Sequence, residues 1–472
     1  MGVEMEKEYW VPEHVREYLT SLGFHLPIGA MEEHIRMWHE WMEATGSFYN
    51  YRDSDGFGRI YEVHRRSIRP AMRVCREWGS LLLNDKTTVV CDDQACTDFL
   101  NDFFTSSSFM PMAQATVVRA FGMGTGAWAL WVDTGKSTVK IRHYDARMTI
   151  PLTWDEEGVT ECAFVTRVFY RGNAVDQLQM HLLNSLGTYR IETVCFDGEG
   201  NRIDVEGVLP SYETGSTFPT FSIVKPAIDN TRVDMSPYGQ SVFADAIDAI
   251  QAVDVAFDSL ITEVDVSKMR IFLSDVLFDK EGDGKGKRIS IPFGKSDCTV
   301  FRKVMSTEDM VQEFAPALRT DSQAAAFRIA LQMLGDLCGF GINYFDLDSS
   351  GYVKTATEVS SDNSQLMRNI ARHEHVLDAS IAGISHALLH VERGFGKELP
   401  DEGEIHTIFD DSIITDTAAE KAQDMAEVGV TLNAWEYRMK WLGEDEKTAR
   451  ARAAEIGADG SVKREKASGR AV

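Results

Sequence analysis

Apolar and aromatic positions recur every three or four residues from Glu13 to Gly79, as at Met31, Ile35, Trp38 and Met42 and again at Ile68, Met72, Cys75 and Trp78. Such a stripe covers one side of a helix, so the spacing predicts three helices with polar joints between Gly46 and Gly58. The helical period continues from Cys96 to Phe121 and then switches to two. Short β-type runs follow at Trp128 to Val132, Thr138 to Arg142, Cys162 to Tyr170, Met180 to His181 and Tyr189 to Phe196, separated by turn formers such as Asp133-Thr134-Gly135 and Asp197-Gly198-Glu199-Gly200. A helical layer followed by a meandering antiparallel sheet makes this half α+β.

After the loop from Asn230 to Pro237 the texture changes. Ser236 and Pro237 form an N-cap and N1 pair, and Phe243, Ile247, Ile250, Val253, Phe257, Leu260 and Val264 then share one stripe, predicting a rod on the order of 45 Å long. The opposite face carries Asp245, Asp248, Asp254, Asp258, Glu263 and Asp265, with no Lys or Arg between Arg232 and Lys268. Acids on a long helix normally come with cations four residues away, so the bare acidic face reads as selected. The apolar stripe is too wide to leave in water, which predicts self-association. A β-type excursion from Arg270 to Lys303, with a mixed-charge tip from Asp279 to Lys287, separates this helix from a second, Asp321 to Cys338. Gly339 and Gly341 end it, a polar loop runs from Asn343 to Lys354, and a longer helical pattern from Ala356 to His390 follows. A short strand, Ile405 to Phe409, precedes a helical tail, and the last dozen residues are expected to be disordered.

Composition narrows the function. The 472 residues carry 48 Lys and Arg against 73 Asp and Glu, a formal net charge of -25, which argues against a protein that grips nucleic acid through its phosphates. Nucleic acid meeting this chain is more readily passed along than held. The seven cysteines are scattered without a CxxC pair, as in a reducing compartment. No run approaches the length of a membrane span and the first residues form no signal segment, so a soluble intracellular product with no membrane association is expected.

The candidate chemical motifs each lack a necessary part. Gly135-Lys136-Ser137 has Leu130 where a phosphate loop needs its first glycine, and it leads into a strand. Gly122, Gly124 and Gly126 precede no strand-turn-helix with a downstream acid, so close packing or a bend into the sheet explains them better. Asp279, Glu281, Asp283 and Gly284 begin a calcium loop whose twelfth position is Ser290, and Asp346, Asp348, Ser350 and Gly351 begin another whose twelfth is Thr357. His386 and His390 share a helix face without a third ligand, with His373 and His375 too far away to join them. No nucleophile or acid-base signature is evident. Neither an enzyme, a cofactor nor a metal site is expected.

The order of elements, an acidic helix, a β-rich insertion, a returning helix, a polar loop and a long helix with a tail, resembles that of bacteriophage portal proteins, closest to the tailed-phage portals of Gram-positive hosts. The residues carrying the resemblance are Ile35 to Trp41, Arg65 to Asn84, Tyr238 to Phe257, Thr355 to Met367 and Ala426 to Trp441, so it extends over almost the whole chain. It implies an α+β portal-type protomer: residues 1–235 as wing, 236–267 and 319–340 as stem helices, 268–318 as clip, 341–355 as tunnel loop, 356–414 as long wing helix and returning strand, and 415–472 as crown and tail. It further implies a homo-oligomeric ring, normally a dodecamer, at a capsid vertex of the virion, assembled in the host cytoplasm. Double-stranded DNA would pass through its channel, driven by a separate terminase motor. Major capsid and scaffolding proteins and head-completion adaptors would be the other partners.

By that resemblance Asp245, Asp248, Asp254, Asp258 and Asp265 line the channel, and Asp346, Asp348, Ser349, Ser350, Gly351, Tyr352 and Lys354 form the tunnel loop. Lys280, Asp283, Lys285, Lys287 and Arg288 belong to the clip. A channel that must release DNA cannot afford many phosphate ion pairs, and the acid excess agrees. With only Lys354 beside Asp346 and Asp348, the loop departs from a cationic ratchet. Another homo-oligomeric connector or scaffold protein, or a calcium-regulated binding protein built on the Asp346 loop, are the alternatives.

Overall fold

The computed structural model describes residues 9–54, 58–133, 138–267, 270–274, 280–281, 288–289, 300–303, 311–314, 319–345, 364–409, 421, 424–428, 432–444 and 446–454. They fall into two units, Met1–Val353 with Ser361–Ile408, and Lys354–Ser360 with Phe409–Val472.

The larger unit opens with α1 (Glu13–Ser21), α2 (Ile28–Glu43), α3 (Pro70–Leu82), α4 (Gln94–Ser106) and α5 (Phe109–Met123). The predicted stripe of α2 is buried, at Met31, Ile35, Trp38 and Met42; of the second stripe Cys75 and Trp78 are buried in α3, whereas Met72 is half-buried and Ile68 lies half-buried before the helix, and Val74 joins the buried face. Asp93 caps α4 by accepting from the amides of Ala95 and Cys96. Between α2 and α3, where a polar joint is expected, lies a hairpin of β1 (Asn50–Ser54) and β2 (Ile60–His64). Its strands are exposed on both faces, so they carry no apolar alternation to betray them.

β3 (Thr88–Cys91) precedes α4 and pairs with a late strand, β18 (Ile405–Ile408). The meander is β4 (Gly126–Asp133), β5 (Thr138–Asp145), β6 (Thr149–Trp154), β7 (Val159–Tyr170), β8 (Asn173–Leu183), β9 (Tyr189–Phe196), β10 (Arg202–Ile203), β11 (Ser211–Glu213) and β12 (Phe221–Val224). It forms two antiparallel sheets, ordered β12-β4-β5 and β10-β9-β8-β7-β6 with β11 also on β9. Ala127, Ala129, Tyr144, Cys162, Phe164, Tyr189 and Phe221 make a common core. The α+β class stands.

The first long helix, α6 (Ile247–Val266), starts at Ile247, not at Ser236-Pro237. Residues 238–246 are instead tied to the sheets and α5: the Tyr238 hydroxyl donates to the Thr149 carbonyl (2.7 Å), the Gly239 amide to Thr125 Oγ1 (3.0 Å) and the Val242 amide to the Phe121 carbonyl (2.9 Å). The Val242 bond takes an amide that a helix would direct to the Tyr238 carbonyl, while burial of Tyr238, Val242 and Phe243 imitates a helical stripe. Beyond α6, β13 (Arg270–Ser274) runs parallel to β16 (Val300–Lys303) and antiparallel to β17 (Val311–Phe314), and β14 (Lys280–Glu281) pairs with β15 (Arg288–Ile289). α7 (Thr320–Leu337) returns against α6, and α8 (Ser364–Gly394) buries Leu366, Ile370, Ile381, Ile384 and Leu388 while packing on β12, β4 and β18. The predicted start of this last helix, Ala356, lies outside the described residues. Among the described residues no helix is long and apolar enough to cross a membrane.

In the smaller unit, Asn433 and Glu436 form a reciprocal capping box at the start of α9 (Ala434–Leu442), and Gly443 closes it in the left-handed region. Glu444 gathers Arg438 and Arg452, and Asp424 accepts from the Trp441 indole (2.8 Å) and Lys440 (2.7 Å).

Candidate functional site

The features with a functional expectation are concentrated in α6, α7 and the strands between them. α6 and α7 run antiparallel: Arg319, just before α7, forms a two-pronged pair with Glu263 near the end of α6 (2.5 and 3.0 Å), and Phe257 meets Phe327 one helical stretch further on. The apolar stripe that predicts self-association is therefore largely spent inside the chain. Ile250 and Val253 are fully buried and Phe257 is covered by α7, so that stripe does not itself argue for a ring.

The acidic face is also rearranged. Asp254 is 0% exposed, which corrects its assignment to a channel wall. Its carboxylate accepts from the Tyr49 hydroxyl (2.7 Å), the Ser67 hydroxyl (2.7 Å) and the Ile68 amide (3.1 Å), fastening α6 to the segment that leads into α3. Burial pushes its pKa up, against the lowering effect of these three donors, and holds the Tyr49 phenol far above its ordinary range. Asp245 pairs with Arg232 (2.5 Å), and Asp258 with Arg66 (3.6 Å). The face that lacks cations in sequence thus receives them from other elements. Asp248 is exposed, beside a cleft of about 840 Å³ shared with Glu33, Glu40, Arg36 and Arg232. Asp265 lies in the last turn of α6.

Of the clip residues, Lys280 and Arg288 occupy the paired strands β14 and β15, where Lys280 is opposite Ile289 and Glu281 opposite Arg288. Asp283, Lys285 and Lys287 lie outside the described residues. So do Asp346, Asp348, Ser349, Ser350, Gly351, Tyr352 and Lys354 of the expected tunnel loop, together with Lys136, Ser137 and Gly135 of the glycine-rich motif.

What leads into that loop is described. The end of α7 is hooked over α3: the Trp78 indole donates to the Cys338 carbonyl (3.2 Å), and Asn369 Nδ2 donates to the Gly339 carbonyl (2.8 Å). Phe340 stacks on Trp78 at 4.6 Å and on Tyr344 at 4.7 Å, with His373 edge-on to Trp78 at 4.7 Å. Burial lowers the His373 pKa to about 4, and its Nδ1 accepts the Ala227 amide (3.0 Å), so the ring is neutral and structural. Sequence reading did not find this aromatic joint, because its members come from α3, α8 and the turn after α7. Beside it, Ile68, Pro70, Phe327, Leu331, Leu334 and Phe345, with Arg73, Glu77 and Tyr344, line a mixed cleft of about 340 Å³.

The remaining motifs resolve as packing. Gly124 is left-handed (φ 83°), and a Cβ on it would stand 2.4 Å from the Gly239 carbonyl oxygen. His386 Nδ1 donates to the carboxylate of buried Glu402 (2.8 Å), which Arg393 also reaches, and His386 stacks on Phe218. Among the described residues no group of three or more His, Cys, Asp or Glu is placed to hold a metal ion. The described cysteines, Cys75, Cys91, Cys96, Cys162, Cys195 and Cys338, are buried and unbridged.

No protein-family model and no curated protein matches the chain. Among solved structures it is similar to a chain from the neck of an empty GTA particle computed with C6 symmetry, at 12% identity over 86% of this chain and 92% of that one, with a TM-score of 0.41. It is similar also to a chain from the virion of a native gene transfer agent (GTA) particle, at 13% identity over 87% and 93% of the two chains (TM-score 0.39). A third likeness is to the neck of a native GTA particle computed with C12 symmetry, at 13% identity over 79% and 88% (TM-score 0.37).

Proposed function

We propose that this chain is a portal-type structural protein of a phage-like particle. Copies form a ring whose channel passes double-stranded DNA, and the ring docks a packaging motor and head-tail adaptors. The observation that carries the reading is the antiparallel pair α6 and α7 bracketing a small mixed sheet, in the order that the sequence resemblance implies. The charge of -25 supports it, because a wall with excess acid keeps a duplex from binding as it moves. In this reading the protein is not an enzyme and force comes from the motor.

With Asp254 buried and Asp258 and Glu263 paired, Asp248 is the exposed carboxylate among the described side chains of α6, and in this reading it faces the channel. Averaged electron-microscope views of the purified full chain are expected to show closed rings with a central channel wide enough for a duplex. Monomer alone at every concentration would overturn the ring, and a channel too narrow for a duplex would favour another connector protein. Asp248→Lys is expected to assemble normally while retaining DNA in a salt-sensitive way; retention equal to the parent would place Asp248 elsewhere than on the channel.

A further inference from the structure

Acid dominates this chain, yet one stretch reverses the sign. From Arg59 to Arg76 there are six Arg and one Glu, against a formal net charge of -25 for the whole. Arg69, Arg73 and Arg76 follow the four- and three-residue spacing of one helix side, at the N-cap and first turns of α3, and span about 10 Å. The Arg69 and Arg73 side chains are 51% and 63% exposed, and Arg76 is exposed as well. The chain's own acids leave much of their donor capacity open. Arg69 meets Glu43 at 3.3 Å, Glu77 reaches Arg73 only at 3.9 Å, beyond a hydrogen bond, and among the described residues no acid pairs with Arg76.

The same end of α3 borders the mixed cleft of about 340 Å³, to which Leu331, Leu334 and Phe345 give apolar walls that are themselves 8%, 2% and 8% exposed. Arg73 belongs to both features. It lines the cleft, and its guanidinium stands 5.7 Å from the centre of the Phe345 ring. Glu77, the acid in the lining, is engaged by the Tyr344 hydroxyl (3.1 Å). The result is an apolar hollow with a cationic rim. We infer that this face docks an acidic amphipathic segment of a partner protein, its apolar side chains in the cleft and its carboxylates along Arg69, Arg73 and Arg76.

The two features together select this occupant. A nucleic-acid duplex would meet the arginines, but its phosphates and sugars offer no apolar group to a hollow walled by Leu331, Leu334 and Phe345. A small apolar ligand would fill the hollow, whose volume is at the low end of the roughly 300–1,000 Å³ of small-ligand sites, but would leave Arg69 and Arg76 without a role. A peptide with carboxylates on one side and apolar side chains on the other meets both. The inference goes beyond the ring reading and does not depend on it, since every residue of the face lies within one copy.

The test uses the purified full chain and fluorescence anisotropy. The probe is a fluorescein-labelled peptide of leucine and glutamate with leucine at three- and four-residue spacing. A second peptide has serine in place of every leucine, and a labelled DNA duplex is the third probe. The leucine peptide is expected to bind about tenfold more tightly than either of the others. Arg76→Glu, which changes only the exposed stripe, is expected to weaken that peptide about fivefold at low salt and little at high salt. Ile68→Trp, which fills the cleft from a half-buried position, is expected to weaken it about tenfold at both, with a thermal melt to check the fold. If that variant melts early, the serine peptide carries the test of the cleft on the parent chain. Equal binding of the two peptides would mean attraction by charge alone, and tighter binding of the duplex would mean a nucleic-acid surface. Either overturns the peptide site, as would an unchanged affinity in Arg76→Glu or no binding by the parent. Binding to single chains that disappears in rings would show that a second copy fills the cleft and would overturn the site while leaving the ring reading intact. Peptide binding to a chain that forms no rings would support the site and overturn the ring reading alone.

Discussion

Asp254→Leu is expected to cost the folded chain about 3–5 kcal/mol, because it removes the acceptor shared by three buried or half-buried donors and replaces none of their bonds. Tyr49, Ser67 and Ile68 all donate to this carboxylate, from a segment nearly two hundred residues earlier in the chain. Leucine is close in volume, so the loss reports unsatisfied polar groups more than a cavity. Urea unfolding followed by far-UV circular dichroism measures it. Tyr49→Phe alone is expected to cost about 1–2 kcal/mol, and less in the Asp254→Leu background, since its partner is already gone. A change under about 1 kcal/mol in the leucine variant would show that the carboxylate does not hold α6 to the body.

The same residue sets a pH dependence of unusual sign. Because burial raises its pKa in the folded state, the folded chain keeps a proton that the unfolded chain releases near the ordinary value of 3.8. Its contribution is therefore fully present below that value and declines as pH rises through the elevated folded pKa. Asp254→Asn, which cannot ionise, is expected to flatten that part of the stability profile. A profile with the parent's slope there would assign the titration to another group.

Gly124→Ala is expected to be nearly as damaging, at about 3–5 kcal/mol, by two separable causes. The first is backbone: φ at Gly124 is 83°, which costs alanine about 1–2 kcal/mol. The second is contact, since the new methyl carbon would stand 2.4 Å from the Gly239 carbonyl oxygen and 2.8 Å from its carbon, both main-chain atoms. Relief requires moving residues 238–246 and stretching the Gly239–Thr125 and Val242–Phe121 hydrogen bonds that keep this segment out of the α6 helix. Gly172 supplies the control. Its φ is 85° but a Cβ there meets nothing within 4 Å, so Gly172→Ala is expected to show the backbone cost alone, roughly 1 kcal/mol. Equal losses at the two positions would mean that the close approach at Gly239 contributes nothing.

Local pattern by itself determined the α+β class, the helical stripes of α2 and α3, most strands of the meander, the bracketing of a β-type excursion by two helices, and the existence of α8. Each depends on a hydrophobic period that burial on one face imposes within a few turns or a few strand residues. The hairpin of β1 and β2 escaped because neither of its faces is buried, and the true start of α6 escaped because Tyr238, Val242 and Phe243 are apolar for contacts with the sheets and α5. Charge was legible as a balance but not as a location. No cation lies near Asp245, Asp258 or Glu263 along the helix, yet Arg232, Arg66 and Arg319 reach them from other elements. Only tertiary structure could decide that Asp254, one acid in a row of six, turns inward to Tyr49, or that the wide apolar stripe of α6 meets α7. Sequence spacing states which residues share a face of one helix, whereas which face is covered depends on elements far away in the chain.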